Sequence, residues 1–98
     1  IASLLEMENP VGEGDVVVCD KHLGAGYGRA SEEVLDAMGL AARREGMITD
    51  PVYTAKAFCG FVDRARESDP SRTIVFIHTG GTPAIFASER ELTAAFSR

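Results

Sequence analysis

Apolar residues follow two rhythms along this chain, and the rhythms alternate. Val34, Leu35, Met38, Ala41 and Ala42 recur at helical spacing, as do Val52, Ala55, Phe58, Cys59, Val62 and Ala65. Each set forms a single stripe on a helix and leaves the other side to charged residues. Around them stand two continuous apolar runs, Val16-Val17-Val18-Cys19 within residues 15–20 and Ile74-Val75-Phe76-Ile77 within residues 73–78. Rich in β-branched residues and without alternation, these runs predict strands covered on both faces.

The punctuation supports those boundaries. Ser31 offers a hydroxyl cap, Glu32 and Glu33 place negative charge in the first turn, and Gly46 suits the left-handed position that closes a helix. Asp50-Pro51 is a second start signal, with Asp as cap and Pro tolerated at the first helical position. Residues 68–72, with Pro70, end that helix. Residues 84–87 begin a short helix, and Ser88 is placed to cap a last one through Glu89, Glu91, Leu92 and Phe96. Ile1-Ala-Ser-Leu-Leu-Glu-Met7 reads as the final turns of a helix, followed by a turn with Pro10, Gly12 and Gly14. Strands separated by helical stretches of this length imply parallel strands joined by right-handed crossovers. The expected fold is therefore α/β, one partial domain over residues 1–98 without repeat or internal boundary.

Composition narrows the classes. The chain has 98 residues, a hydrophobic fraction of 45% and a charged fraction of 26%, values of a globular chain with one small core. A net charge of −5 disfavours nucleic acid and anionic membranes, and Arg43-Arg44, the only adjacent basic pair, suits the carbonyl end of a helix. No apolar stretch approaches a membrane span, and residues 1–7 lack the basic flank of a signal peptide. Cys19 and Cys59 belong to no metal-spaced cluster and read as reduced packing residues, which fits a cytoplasmic protein. Ile1 in place of an initiator Met leads us to expect a trimmed or incomplete chain.

Both expected strands run into glycine loops, the first through Gly24, Gly26 and Gly28 around Tyr27, the second through Thr79-Gly80-Gly81-Thr82-Pro83. Ligands of open α/β sheets bind at the carboxyl ends of strands, where such loops let backbone N–H groups approach a planar or anionic group. The loops alone serve equally well as turns. No P-loop or G-x-G-x-x-G follows either run.

Three phrases taken together are more specific. Gly26-Tyr27-Gly28, then Glu45-Gly46-Met47-Ile48-Thr49-Asp50-Pro51-Val52-Tyr53-Thr54-Ala55-Lys56-Ala57, then Phe76-Ile77-His78-Thr79-Gly80-Gly81-Thr82-Pro83-Ala84 resemble, over roughly residues 1–87, the C-terminal third of the D-cysteine desulfhydrase and aminocyclopropane-carboxylate deaminase family. The resemblance implies the large domain of a tryptophan-synthase β-like, fold type II enzyme: a three-layer fragment with a parallel sheet, facing pyridoxal 5'-phosphate. It also implies that the lysine bonded to the cofactor, and a serine near the substrate carbon, lie upstream of this chain. Lys21 and Lys56 do not match that lysine; Lys21 reads as surface charge, Lys56 as a structural helix residue with an orienting role open to it.

By the same resemblance Tyr27 and Tyr53 match the two tyrosines that flank the substrate above the cofactor ring, where a phenol can hydrogen-bond to a leaving group, transfer a proton or exclude water. Their alternative is a pair of packing tyrosines. Thr79 matches the hydroxyl residue facing the cofactor's pyridine nitrogen, with Gly80 and Gly81 keeping the loop tight beneath the ring. Thr54 stands where the deaminases usually carry glutamate and the desulfhydrases threonine, so it is the fourth residue placed near the cofactor and leans the reading to a desulfhydrase. Ala55, Phe58 and Cys59 depart from the usual pattern and leave the exact substrate open. His78 reads as a satisfied strand-end residue and His22 as exposed loop.

The implied parent is a lyase taking a small amino acid, D-cysteine first, to pyruvate, sulfide and ammonia, with a homodimer as its expected assembly and no metal. Within the family a 1-aminocyclopropane-1-carboxylate deaminase or a cysteate sulfo-lyase is the alternative. Outside it stands a non-catalytic fragment or interaction module, which the missing lysine favours for the isolated chain.

Overall fold

The computed structural model describes residues 1–97 and holds four α-helices: α1 (Glu32–Glu45), α2 (Thr54–Glu67), α3 (Ala84–Ala87) and α4 (Glu89–Phe96). A single 3-10 turn, Glu13–Asp15, precedes them. The N–H of Val34 donates to Ser31 Oγ at 3.4 Å at the start of α1. At its end Gly46 takes φ 63° and donates to the carbonyls of Ala41 and Ala42. Both ends follow the sequence's own signals.

The core lies between α1 and α2. Val34, Ala37, Met38 and Ala41 face Ala55, Phe58 and Cys59, all buried, with Leu92 of α4 and Ile85 of α3 packed against the cluster. Gly39 leaves room for the Arg43 side chain and for α4, because a Cβ there would lie 2.6 Å from Arg43 Nη2 and 3.2 Å from Phe96 Cε1. Phe58 meets Phe61 at 5.6 Å and Phe76 at 5.3 Å between ring centroids, so residues 73–78 lie across α2 through Phe76.

The expected parallel sheet is not present among the described residues. Residues 16–18 and 74–77 carry no strand pairing. Val16, Val17 and Val18 are 64%, 83% and 86% exposed, and Val75 and Ile77 also face water. A helix closes its hydrogen bonds within its own segment, whereas a strand requires a neighbour, and a two-faced interior strand requires cover on both sides. Neither run meets such a neighbour here. Residues 74–78 do alternate, with Ile74, Phe76 and His78 partly covered and Val75 and Ile77 exposed, the burial of an extended segment with one face packed.

Two smaller expectations also change. Residues 1–7 form turns rather than the end of a helix, with Leu5 N–H bonding to Ile1 O at 3.0 Å and Glu6 at φ 51°. Ser88 precedes α4 without a side-chain cap, its backbone being at φ −107° and ψ 18°. The radius of gyration is 16.1 Å, against about 13 Å for a compact domain of this length. No helix among the described residues is long and apolar enough to cross a membrane.

Candidate functional site

The site is organised by Asp50, which is fully buried. Pro51 follows it but is not the first helical residue expected: residues 51–53 make a turn, and α2 begins at Thr54 with Tyr53 at its N-cap. Asp50 Oδ2 accepts from the N–H groups of Val52 at 2.9 Å and Tyr53 at 2.8 Å; Oδ1 accepts from the N–H of Thr54 at 2.9 Å. The Thr54 hydroxyl donates to Oδ1 at 2.6 Å and accepts from the Asp50 N–H at 2.9 Å. Burial alone would raise the Asp50 pKa, but these hydrogen bonds, led by the Thr54 hydroxyl, outweigh it and hold the carboxyl below its ordinary value.

The cap also holds the second glycine loop. At Gly81, with φ 88°, a Cβ would strike the Asp50 carboxylate, so this glycine is required by close packing of the loop on the cap. His78 fixes the same loop from its other side: Nε2 lies 2.9 Å from Ile48 O and Nδ1 is 3.2 Å from the Gly80 N–H. The Gly80 N–H donates to Nδ1, which leaves Nε2 to face the Ile48 carbonyl as the donor. His78 is thus a satisfied structural residue.

The first glycine loop reaches the same place. Tyr27 and Tyr53, 26 residues apart, share a hydrogen bond of 2.7 Å between their hydroxyls, with ring centroids 5.9 Å apart edge to face. Both rings are largely exposed. Their hydrogen bond, then partial burial and the nearby Tyr27 and Asp50 charges, push the Tyr53 phenol above its ordinary value of 10.0, so it keeps its proton at neutral pH. Gly24, Gly26 and Gly28 all take positive φ, which lets the loop turn back onto α2. Lys56 Nζ donates to Leu23 O at 2.7 Å and to Gly26 O at 2.8 Å.

Of the residues expected at the site, Tyr27 and Tyr53 meet directly. Thr79 and Gly80 lie exposed on the loop anchored beside the Asp50 cap, and no described residue hydrogen-bonds the Thr79 hydroxyl. A Cβ at Gly80 would meet open space. Thr54, in contrast, is buried with its hydroxyl committed to Asp50. The sequence marked Asp50 only as a helix cap and did not signal its contact with Gly81. It also missed Thr49, 2% exposed beside the cap, whose hydroxyl has no partner among the described residues.

A separate hollow of about 860 Å³ opens between α1 and α2 and holds none of the expected site residues. Lys21, Arg43, Arg44 and Arg66 line it together with Glu33, Asp36 and Asp63, so it has no single charge preference. His22 sits at its edge, 3.5 Å from Asp63 and over Gly60, and is partly covered rather than the exposed loop residue expected. Cys59 is buried, and desolvation first, then the Glu33 and Asp63 charges, raise its thiol pKa; it is inert packing. Cys19 is free and exposed, so it is not the packing residue expected.

Comparison with known proteins gives a consistent set of relatives. Residues 1–80 match the family described as pyridoxal-phosphate dependent enzyme. The 1-aminocyclopropane-1-carboxylate deaminase of Burkholderia ambifaria is 40% identical over 88 residues, which is 88% of this chain and 26% of that protein. The D-cysteine desulfhydrase of Yersinia enterocolitica is 46% identical over 81 residues, 78% of this chain and 24% of that protein. The chain spans about a quarter of the length of these curated relatives.

Proposed function

Because the chain belongs to the pyridoxal-phosphate dependent enzyme family, we propose that it forms one wall of a cofactor cleft and contributes substrate-handling phenols to an α,β-elimination on a small amino acid. The observation that carries this reading is the 2.7 Å bond between Tyr27 and Tyr53, formed by two segments far apart in sequence and directed to no packing role in the core. The cap that positions Tyr53 also seats the loop bearing Thr79 and Gly80.

The residues fit the cofactor. Thr79 offers a neutral hydroxyl with no intramolecular bond among the described residues, suited to a ring nitrogen, and Gly80 leaves open space where a side chain would stand. When bound, pyridoxal phosphate supplies an electron sink for the bond broken at the substrate Cα. Tyr53, neutral at working pH, donates a hydrogen bond or a proton to the departing β-substituent, and Tyr27 holds the Tyr53 hydroxyl in place. The two rings exclude water from one side of the substrate. Thr54 acts through the cap, keeping the Tyr53 backbone fixed.

Among substrates we favour D-cysteine, with water consumed and pyruvate, hydrogen sulfide and ammonia released. Thr54 supports this choice, since the deaminases of the resembling family usually carry glutamate at that place. The parallel sheet completed around residues 16–18 and 74–77, the homodimer and the cytoplasmic location belong to the same proposal; apolar exposure supports the first, family likeness the second, and two unpaired cysteines the third. A full-length enzyme carrying this segment, given D-cysteine and 1-aminocyclopropane-1-carboxylate separately, is expected to release sulfide from the first faster than ammonia from the second. The reverse order would assign the segment to a deaminase.

A second reading concerns the chain alone. Lys56 Nζ is engaged by two carbonyls and Lys21 lies at the hollow between α1 and α2, so neither is presented to Tyr27 and Tyr53 as a cofactor-bonding amine. The isolated chain is therefore non-catalytic by this reading. Mixed with pyridoxal phosphate it is expected to show no lasting absorbance band of a lysine-bonded cofactor; a stable band on Lys21 or Lys56 would contradict this.

A further inference from the structure

Lys56 lies on the first turn of α2, three residues after Tyr53, the residue at the N-cap of that helix. Its ammonium binds no carboxylate among the described residues; it donates instead to the carbonyls of Leu23 and Gly26 at 2.7 and 2.8 Å. The Gly26 carbonyl belongs to the peptide that leads into Tyr27. Three glycines at positive φ give this loop many accessible conformations, and its internal backbone bonding among the described residues is a single contact, Leu23 N–H to Asp20 O at 3.2 Å. Selection among those conformations must come from attachments outside the loop. Tyr27 itself is 80% exposed, and its one hydrogen bond among the described residues is to Tyr53.

We propose that Lys56 is a positioning residue that fixes Tyr27 over Tyr53 by clamping the carbonyls of Leu23 and Gly26 to the helix that presents Tyr53. The start of α2 then carries the anchor for one phenol directly after the N-cap residue that bears the other, so the spacing of the pair is set from one end of a rigid element. An ordered lysine loses rotamer freedom, and two short bonds to carbonyls within one loop are a return that a solvated surface charge does not make. The consequence in an enzyme rests on the reading of the two phenols as substrate-facing; the clamp itself does not.

The chain contains two tyrosines and no tryptophan, so its tyrosine near-ultraviolet circular dichroism reports this pair alone. We expect Lys56→Met to lose most of that band while far-ultraviolet helicity is kept, and Lys56→Arg, which retains donors for both carbonyls, to recover it. An unchanged band in Lys56→Met would overturn the proposal. In the unaltered chain, nuclear cross-relaxation is expected between the Lys56 ε-methylene and the Gly26 α-protons. Its absence would overturn the proposal however the variants fold. Should Tyr53→Phe leave turnover unchanged in a full-length enzyme while the Lys56→Met band collapses, the clamp stands and the substrate reading falls. The opposite pair of results removes the clamp alone.

Discussion

The α1–α2 hairpin and the two extended runs, residues 16–18 and 74–77, are comparably apolar in sequence, yet they end in different states. The helices bury their stripes against each other, with Val34, Ala41 and Ala55 at 2%, 0% and 0% exposure. The runs leave Val17, Val18, Val75 and Ile77 more than 70% exposed. What separates them is where the backbone finds its partners. A helix satisfies its N–H and C=O groups internally and needs one packing face, whereas an interior strand needs neighbours on both edges and cover on both faces. The residues proposed for the site sit at the junction: Tyr53 is held by the finished helical part, and Thr79 and Gly80 follow an extended run that one face of α2 covers through Phe76.

Substitutions break this comparison in a definite order. Phe58→Ala removes the ring shared by α1, α2 and Phe76 and is expected to cost about 3–5 kcal/mol, read as loss of far-ultraviolet helicity at lower denaturant. Asp50→Ala should cost about 2 kcal/mol, since it removes the cap and strands the buried Thr54 hydroxyl. Acid sharpens that test. Because the hydrogen bonds hold Asp50 below 3.8, its contribution is complete above that pH and is lost as pH falls through the lower folded value; Asp50→Asn should remove this part of the acid sensitivity. Gly81→Ala should cost about 1 kcal/mol or more, because it combines positive φ with a collision against Asp50. Val17→Ser, at a site 83% exposed, should stay within about 0.5 kcal/mol in thermal melts.

Much of the helical part was legible in the sequence because its signals are local. Ser31, Gly46 and Asp50 each act within four residues, and the 3.6-residue stripes name Val34, Met38, Phe58 and Cys59 correctly as core. The two apolar runs were legible, but the strands expected of them are not formed among the described residues, because a strand needs a pairing neighbour and neither run meets one. At the site, family likeness brought Tyr27, Tyr53 and Thr79 forward, and the geometry adds that the two phenols touch. The links between loops were not legible. Asp50 against Gly81 and Lys56 on Gly26 span about 30 residues of sequence, and neither has a periodic or compositional mark.

The central claim, that the tyrosine pair handles substrate, is tested most directly by Tyr53→Phe in a full-length enzyme carrying this segment. The ring and its packing remain, the hydroxyl alone is removed, and cofactor absorbance reports whether the cleft stays intact. We predict a fall in kcat of about 100-fold or more with the cofactor retained; turnover equal to that of the unaltered enzyme would contradict the account.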